Sequence, residues 1–351
     1  MNTIMTKPLM MIAVATALAL AACGGGNVDS GGGGGTGNPG SGGAPVSGGG
    51  TGSTPVSGGG TGGNAPMPVM SASSGCPLFS SDDLWNKDIS GAAVDTMWTT
   101  KLQALVGAVK LHPDFGPDFG IPINVVPESQ AAVPVTFDDY PTESDPGPYP
   151  LPDLKTIQLE GTSDPTKCDG DCHLLTVQKG TCQLYEGYGC HYASGWHCGN
   201  GARWDLKKNS YGQRMTGWTS ADAAGLPIYA GLARYEEVKA GSINHAIRFT
   251  TKCTRASFVM PATHEAVPGG CSGNTNAPPM GLRVRLRADF DDSKLRPQAK
   301  VFVAAFKKYG MILADNGSNF FFQSEQTPDW ADDINDLKNI PASAFEAIVA
   351  P

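Results

Sequence analysis

One predicted hairpin brings together ionisable residues that could transfer a proton. Two strand-like runs flank positions 179–180, and a two-residue turn there would place His173 directly opposite Glu186. Opposed residues have Cβ atoms about 4.5–5.5 Å apart, so the imidazole and the carboxylate could contact each other. A carboxylate that fixes one imidazole tautomer suits a general base. The alternative is a buried, mutually satisfied pair at the edge of the core.

A third ionisable residue, His245, lies on the apolar face of another predicted strand. Burying an imidazole or a carboxylate without partners costs about 1–3 kcal/mol, so a purely packing position would favour an apolar residue. We therefore predict one partly exposed catalytic pocket lined by His173, Glu186 and His245. Either Arg248 or Arg283 would lie at its rim.

Arginines alternate with apolar residues in two predicted strands. Arg283 and Arg285 share one face of the first, and Arg248 lies opposite the apolar face of the second. Guanidinium groups bind carboxylate or sulfate in a fork, so these three arginines are predicted to hold an anionic substrate. Alternatively, they pair with the acidic groups of the protein itself.

Aromatic rings crowd a Gly/Asn/Ser-rich region, where Trp196 and Trp218 are predicted to stack on sugars. Core packing would explain the rings equally well. Two aspartates are interpreted as structural. Asp222 would lie in the first turn of a helix, and Asp315 would cap a hairpin or present a carboxylate at a rim.

Sequence signatures of cofactor and metal sites are missing. The chain has no P-loop, Rossmann glycine pattern, G-x-S-x-G or H-E-x-x-H motif. We therefore expect no cofactor and no metal site. Two acidic stretches, 138–145 and 169–171, leave calcium as a weaker alternative, although neither matches an EF-hand loop.

The N-terminus has the pattern of an export signal. An apolar run over 9–19 is too short to span a membrane, and we assign residues 1–22 to a signal peptide. The motif Leu20-Ala21-Ala22-Cys23 resembles the lipobox of bacterial lipoproteins. This resemblance implies a lipid on Cys23 that anchors the chain to a membrane. Gly24, rather than aspartate, after the cysteine implies the outer membrane, facing the periplasm or the cell surface. The alternative is an ordinary signal with an incidental cysteine.

Residues 23–70 are predicted to form a flexible tether. They are nearly all Gly, Ser, Thr, Pro and Asn, and residues 45–52 recur at 55–62. Such a composition offers too little apolar surface to offset the entropy of ordering. A flexible coil of this length reaches roughly 35–40 Å on average.

Eight cysteines besides Cys23 form an even set, at positions 76, 168, 172, 182, 190, 198, 253 and 271. In an exported chain this set predicts up to four disulfides. The preferred pairs are Cys190 with Cys198 and Cys253 with Cys271, and the other connectivities stay open. A zinc site is the rival interpretation, because a histidine lies beside each cysteine of the first pair.

Residues 71–351 are predicted to form a single globular domain. Removing the signal removes Lys7, so the mature chain carries 24 basic and 33 acidic side chains, a balance of 24 − 33 = −9. That sign disfavours a nucleic-acid partner.

The clearest local structure follows Pro297, which begins a helix that Gly310 ends. A strand over 311–314, a hairpin turn at Asn316-Gly317 and a partner strand over 319–323 follow. Other predicted strands cover 156–160, 173–178, 181–186, 244–250, 257–260 and 282–288, and other helices cover 94–109, 221–224, 235–240 and 329–338. This pattern predicts a mainly β fold with peripheral helices (α+β), with an antiparallel β-sandwich or barrel-like core.

Three motifs, Asn244–Phe249, Pro278–Arg283 and Tyr309–Ser318, resemble a family of secreted bacterial proteins. The resemblance spans roughly residues 138–345. It implies export but carries no activity, so it assigns no functional residue.

Together these features predict a surface-anchored enzyme that cleaves a polysaccharide. An anionic polysaccharide is one of the candidate substrates. It would act as a glycoside hydrolase or a polysaccharide lyase. A non-catalytic carbohydrate-binding or adhesive lipoprotein is the alternative. A peptidase is a weaker third, because no nucleophile or metal motif supports it.

Overall fold

A computed structural model describes residues 69–349 of the chain. The predicted signal peptide, the lipid attachment at Cys23 and nearly all of the predicted tether lie outside the described residues. Residues 69–349 belong to one compact unit. Within residues 69–349 no helix is both long enough and apolar enough to cross a membrane.

Helices are few, and most lie where sequence periodicity indicates them. The α-helices are α1 (Thr96–Val106), α2 (Ile228–Gly231), α3 (Tyr235–Ala240) and α4 (Pro297–Lys308). Short 3-10 helices cover Leu84–Asn86, Pro141–Glu143, Asp332–Asn339 and Ala342–Ala344.

The helix predicted over 221–224 is wrong. The segment is a turn instead, in which the Ser220 hydroxyl donates to the carbonyls of Asp222 and Leu226. Local side-chain bonds of this kind compete with helical hydrogen bonds.

Thirteen strands form three sheets. The strands are β1 (His112–Asp114), β2 (Ile123–Val126), β3 (Val135–Phe137), β4 (Leu174–Gln178), β5 (Gln183–Tyr188), β6 (His191–Tyr192), β7 (Trp196–Cys198), β8 (Asn200–Asp205), β9 (Ile247–Thr251), β10 (Arg283–Leu286), β11 (Met311–Asn316), β12 (Phe321–Gln323) and β13 (Phe345–Ala347). The central sheet has the order β1-β12-β9-β11-β10-β13. A second sheet runs β2-β4-β5-β8, and a small third one runs β3-β7-β6.

The fold is therefore mainly β with few helices, as predicted, and is sandwich-like rather than a closed barrel. The antiparallel expectation is only partly correct, because four of the ten strand pairings are parallel. The predicted strands over 156–160 and 257–260 do not form, and only isolated bridges occur there.

The predicted hairpin at Asn316-Gly317 is wrong in its pairing. Strand β9 lies between β11 and β12, so the two strands joined by this turn are not neighbours. Gly317 passes close over β9, and a Cβ atom there would lie 2.9 Å from Oγ1 of Thr250. The turn thus crosses the end of β9.

A β-bulge in β11 decides which way Asp315 faces. Leu313 pairs with Phe249, but the next pair in the ladder is Asp315 with Thr250, so Ala314 is the extra residue. Strict alternation would place Asp315 on the face of Leu313. The bulge moves it to the face that carries Arg248, a common effect of bulges beside functional sites.

The hairpin of β4 and β5 has a different register from the predicted one. Gln178 pairs with Gln183, so four residues rather than two connect the strands. Cys182 lies in this connection with a φ of 56° and is bonded to Cys76. Because the register shifts by two residues, Glu186 lies opposite Leu175, not His173.

All eight cysteines of the described chain form disulfides. The pairs are Cys76–Cys182, Cys168–Cys172, Cys190–Cys198 and Cys253–Cys271. Both preferred pairs are confirmed, and the zinc interpretation of Cys190 and Cys198 is wrong because these thiols are bonded to each other. Four disulfides indicate an oxidising, extracytoplasmic environment.

The disulfides should contribute unequally to stability. Cys76–Cys182 joins residues 106 apart in sequence, whereas Cys168–Cys172 joins residues 4 apart. Loop-closure entropy gives about 5 kcal/mol for the long loop and about 2 kcal/mol for the short one. We expect replacement of Cys76 and Cys182 by alanine to lower the free energy of unfolding in urea more than replacement of Cys168 and Cys172. Equal losses would contradict this entropic explanation.

Candidate functional site

The three predicted catalytic residues lie in three separate networks. Their exposed fractions are 3% for His173, 0% for Glu186 and 0% for His245. The prediction of one partly exposed pocket around them is therefore wrong. Each side chain is satisfied by different partners, and the network of His173 contains the more exposed carboxylates.

Glu186 has a structural role. Its carboxylate accepts hydrogen bonds from Nε1 of Trp204 and from the backbone N–H groups of Ile228 and Tyr229, at 3.1, 3.2 and 2.8 Å. It therefore ties the second sheet to the first turn of α2. Burial raises the pKa of Glu186 to about 7, although these three donors oppose the rise.

His245 lies in a second buried network. Its Nε2 atom is 3.2 Å from a carboxylate oxygen of Glu237 and 3.1 Å from Nη1 of Arg234. Burial raises the pKa of Glu237, but the charges of His245 and Arg234 outweigh that effect and lower it to about 2. This network holds α3 to the start of β9.

The predicted arginine faces are covered by the chain itself. Arg283 donates to the backbone carbonyls of Leu84, Lys87 and Tyr309. Arg285 binds the carboxylate of Glu346 and two backbone carbonyls of the segment that follows the first 3-10 helix. Both side chains are thus occupied by the protein and do not face an open cleft.

The two tryptophans assigned to sugar binding lie in different surroundings. Trp196 is buried and packs edge-on against Tyr192, with ring centroids 5.8 Å apart. Trp218 is half-buried, and the guanidinium of Arg214 lies over its ring at 5.3 Å. Trp196 is therefore closed to a ligand, and only Trp218 has an exposed part.

Arg248 lies at the centre of the third network. Its guanidinium binds both carboxylate oxygens of Asp222 and donates to Oε1 of Gln323. The carboxylate of Asp315 is 3.7 Å from Nη2. Arg248 is 2% exposed, so it organises these groups from below and does not contact a ligand.

Glu160 and His173 extend this network towards solvent. Nδ1 of His173 donates to Oε2 of Glu160, and Nε2 donates to the carbonyl of Ala221 at 3.1 Å. Nε2 of Gln323 donates to the other oxygen of Glu160 at 3.3 Å. Gln323 therefore bridges Arg248 and Glu160.

Opposite pKa shifts follow from this arrangement. Burial lowers the pKa of His173, but the Glu160 carboxylate outweighs it and raises the pKa to about 9. Burial likewise raises the pKa of Glu160, but the charges of His173 and Arg248 bring it below its usual range. Burial and the neighbouring Asp222 raise the pKa of Asp315 to about 8, despite Arg248.

Charge balance explains why Asp315 is protonated at neutral pH. The cations Arg248 and His173 are already matched by the anions Asp222 and Glu160. An ionised Asp315 would add an uncompensated negative charge at a partly buried position. The site therefore combines an ionised carboxylate with a neutral carboxylic acid.

The site opens onto one face of the central sheet. The side chains of Glu160 and Asp315 are 15% and 24% exposed. In the strand register Asp315 lies beside Thr250, Thr250 beside Phe321, and Phe321 beside His112. We call this row, with the underlying Arg248 and Gln323, the polar face.

An aromatic stack ends the row. The rings of His112 and Phe321 lie parallel with centroids 3.9 Å apart, and Asp114 accepts from Nδ1 of His112 at 3.0 Å. Burial raises the pKa of Asp114, although His112 opposes the rise. On the other side of the site, Tyr188 places its ring 5.9 Å from that of His173.

The acidic stretches considered for calcium do not converge on a metal centre. Across residues 69–349 no group of three or more His, Cys, Asp or Glu side chains is arranged to hold a metal ion. Asp138 instead binds Nδ1 of His197 at 3.1 Å.

The sequence predicts Glu160 only as the end of a strand over 156–160, which does not form, and gives it no functional role. Asp222 and Asp315 were noticed but interpreted as structural. For Asp315 the alternative of a carboxylate at a rim agrees with its 24% exposure. The ion pair of Arg248 with Asp222 had no local sequence signal, since 26 residues separate them.

No family model, curated protein or solved structure matches this chain.

His173 should make stability depend on pH in the alkaline range. Its folded pKa of about 9 lies above the unfolded value of about 6.5, so its contribution is complete below about pH 6.5 and is lost as the pH rises through 9. We expect the free energy of unfolding to fall by about 1–3 kcal/mol more over this range in the wild type than in His173→Asn. Urea unfolding at stepped pH measures the difference. Parallel curves for the two proteins would contradict a charged His173.

Proposed function

We propose that the protein is an exported glycoside hydrolase whose acid and base are Asp315 and Glu160. The observation that supports this proposal is the pair of carboxylates with opposite pKa shifts around one buried arginine. Hydrolysis of a glycosidic bond needs a protonated acid at the leaving oxygen and an ionised carboxylate for the sugar carbon or the water. Asp315 suits the first role and Glu160 the second.

Neighbouring groups support these roles. His173 and Gln323 both donate to Glu160, which keeps it ionised and fixes its orientation. Burial, and after it the neighbouring Asp222 that Arg248 binds, raise the pKa of Asp315 and so favour its protonated form. Gln323, Arg248 and His173 are therefore positioning residues, which act through the two carboxylates.

Hydrolysis is favoured over β-elimination. A lyase neutralises the carboxylate of a uronic acid next to the bond that breaks. The predicted candidates for that role, Arg248, Arg283 and Arg285, are bound to the protein's own carboxylates and carbonyls.

A non-catalytic carbohydrate-binding or adhesive lipoprotein is the second candidate. The stacked rings of His112 and Phe321 beside half-exposed polar side chains favour it, because sugars bind to such surfaces. The two candidates share the polar face and differ in whether Asp315 and Glu160 act on the bound sugar.

Anchoring belongs to the same proposal. We infer that a lipid on Cys23 attaches the mature chain to the bacterial outer membrane and that residues 23–70 act as the tether. The lipobox-like motif and the Gly/Ser-rich composition support this inference, and the disulfides agree with a location outside the cytoplasm.

Replacing either carboxylate by its amide should abolish hydrolysis. We expect Asp315→Asn and Glu160→Gln each to reduce kcat/KM by at least about 10²–10⁴-fold on a cleaved glycan, since acid–base catalysis contributes this much. Release of reducing ends from a glycan panel is the assay, and ultraviolet absorbance detects unsaturated products. Asp291→Asn, an exposed carboxylate on a loop, is the matched control.

Three results would separate the alternatives. Unsaturated products would overturn hydrolysis in favour of elimination. Retention of a glycan without cleavage by the wild type would support the binding candidate. For the hydrolase, activity should fall as the pH rises through about 8, because Asp315 then loses its proton. A pH profile that is flat there would contradict Asp315 as the acid.

Lipid attachment can be tested separately. We expect labelled palmitate to enter the wild type and not Cys23→Ser, and the variant to leave the membrane fraction. The eight other cysteines pair with one another, so the four disulfides should be unchanged in the variant. Labelling of Cys23→Ser, or an unlabelled wild type, would overturn the anchor.

A further inference from the structure

A cationic cavity lies at the end of the polar face. It has a volume of about 440 Å³ and adjoins the stack of His112 on Phe321. The residues that line it are Val109, Lys110, Leu111, His112, Lys252, Ser318, Asn319, Phe321 and Lys338. Three lysines around one cavity stand out in a chain whose formal net charge is −8.

The three ammonium groups are available to a ligand. Lys110, Lys252 and Lys338 are exposed, and within residues 69–349 none of them forms an ion pair or a side-chain hydrogen bond. They come from three distant parts of the chain: the segment before β1, the end of β9 and the last long 3-10 helix. The fold therefore brings these charges together, since no local run of basic residues supplies them.

Hydrogen-bonding groups lie among the lysines. Oδ1 of Asn319 accepts from the backbone N–H of Lys252 at 2.9 Å, which fixes the carboxamide and leaves its NH₂ group without a partner in the described chain. Nδ1 of His112 is engaged by Asp114, so Nε2 is the ring atom left for a ligand. The cavity thus offers the Asn319 NH₂ group as a hydrogen-bond donor beside three positive charges.

The cavity lies on the same row of cross-strand neighbours as Asp315, one of the two proposed catalytic carboxylates. His112 lies three strands away from Asp315 in the same row of cross-strand neighbours. Strands are about 4.8 Å apart, so the separation is roughly 14 Å. A polysaccharide bound along the polar face would reach the cavity a few sugars away from the bond that is cleaved.

We propose that this cavity binds an anionic substituent, a carboxylate or a sulfate, of the polysaccharide that the polar face holds. This inference rests on the proposed function for its substrate. It assigns to lysines the anion recognition that the buried arginines cannot perform. Ammonium groups bind such oxygens as point charges, so the interaction should weaken with salt.

Binding to polymers with one backbone and different charge tests the proposal. The probes are dextran, carboxymethyl-dextran and dextran sulfate, in affinity electrophoresis of the full-length protein. We compare the wild type with a triple variant, Lys110→Gln, Lys252→Gln and Lys338→Gln. The control triple is Lys179→Gln, Lys239→Gln and Lys300→Gln, which removes the same charge from exposed positions elsewhere.

We expect the wild type to bind at least one charged dextran more tightly than dextran, and the cavity variant to bind it about tenfold more weakly. Three surface charge contacts of about 0.5 kcal/mol each give this factor. The control triple should bind like the wild type. Preference for carboxymethyl-dextran or for dextran sulfate identifies the anionic group.

Equal weakening in both triples would overturn the cavity site, because it would show a general effect of net charge. Binding unaffected by the cavity substitutions would overturn it as well. Repeating the assay with Asp315→Asn separates this inference from the proposed function. If that variant keeps the binding and the wild type cleaves no glycan, the anion site stands and the hydrolase proposal fails.

Discussion

The buried ion pair of Arg248 and Asp222 is the interaction on which the rest of the site depends. Both side chains are almost fully buried, so each needs the other to avoid the cost of an unpaired charge. The pair joins the central strand β9 to the turn that precedes α2. The backbone of α2 also packs closely here, since a Cβ atom on Gly231 would lie 2.6 Å from that of Arg248. Removing either partner would leave a buried charge and loosen this junction.

Burial, His173 and this pair together set the protonation of the two partly exposed carboxylates. Asp222 repels negative charge on Asp315, while Arg248 favours negative charge on Glu160. The second cation, His173, contacts Glu160 directly and reinforces the difference. Burial, one ion pair and one histidine therefore shift the pKa values of the two carboxylates in opposite directions. This division is the physical basis of the proposed hydrolysis.

Local sequence signals predicted what local interactions determine. The helix from Pro297, the helix over 235–240, the mainly β composition and two short-range disulfides were all found in this way. The register of the strands and the sheet face on which each side chain lies were not predicted, because they depend on distant partners. The bond of Cys182 to Cys76 lies in the turn that sets the β4–β5 register, and a single bulge reversed the face of Asp315. Glu160 was predicted only as the end of a strand, because the partners that position its carboxylate, His173 and Gln323, lie elsewhere in the sequence.

The arginines show why alternation alone did not locate the site. A period of two separates the faces of a strand but does not say which face meets water. In β10 both faces are buried, because the chain after Leu84 lies over the arginine side and offers carbonyl oxygens to Arg283 and Arg285. Arg248 is covered in the same way by Asp222. These three guanidinium groups therefore hold the chain together, and the cations that line the cavity are lysines, whose long side chains reach solvent.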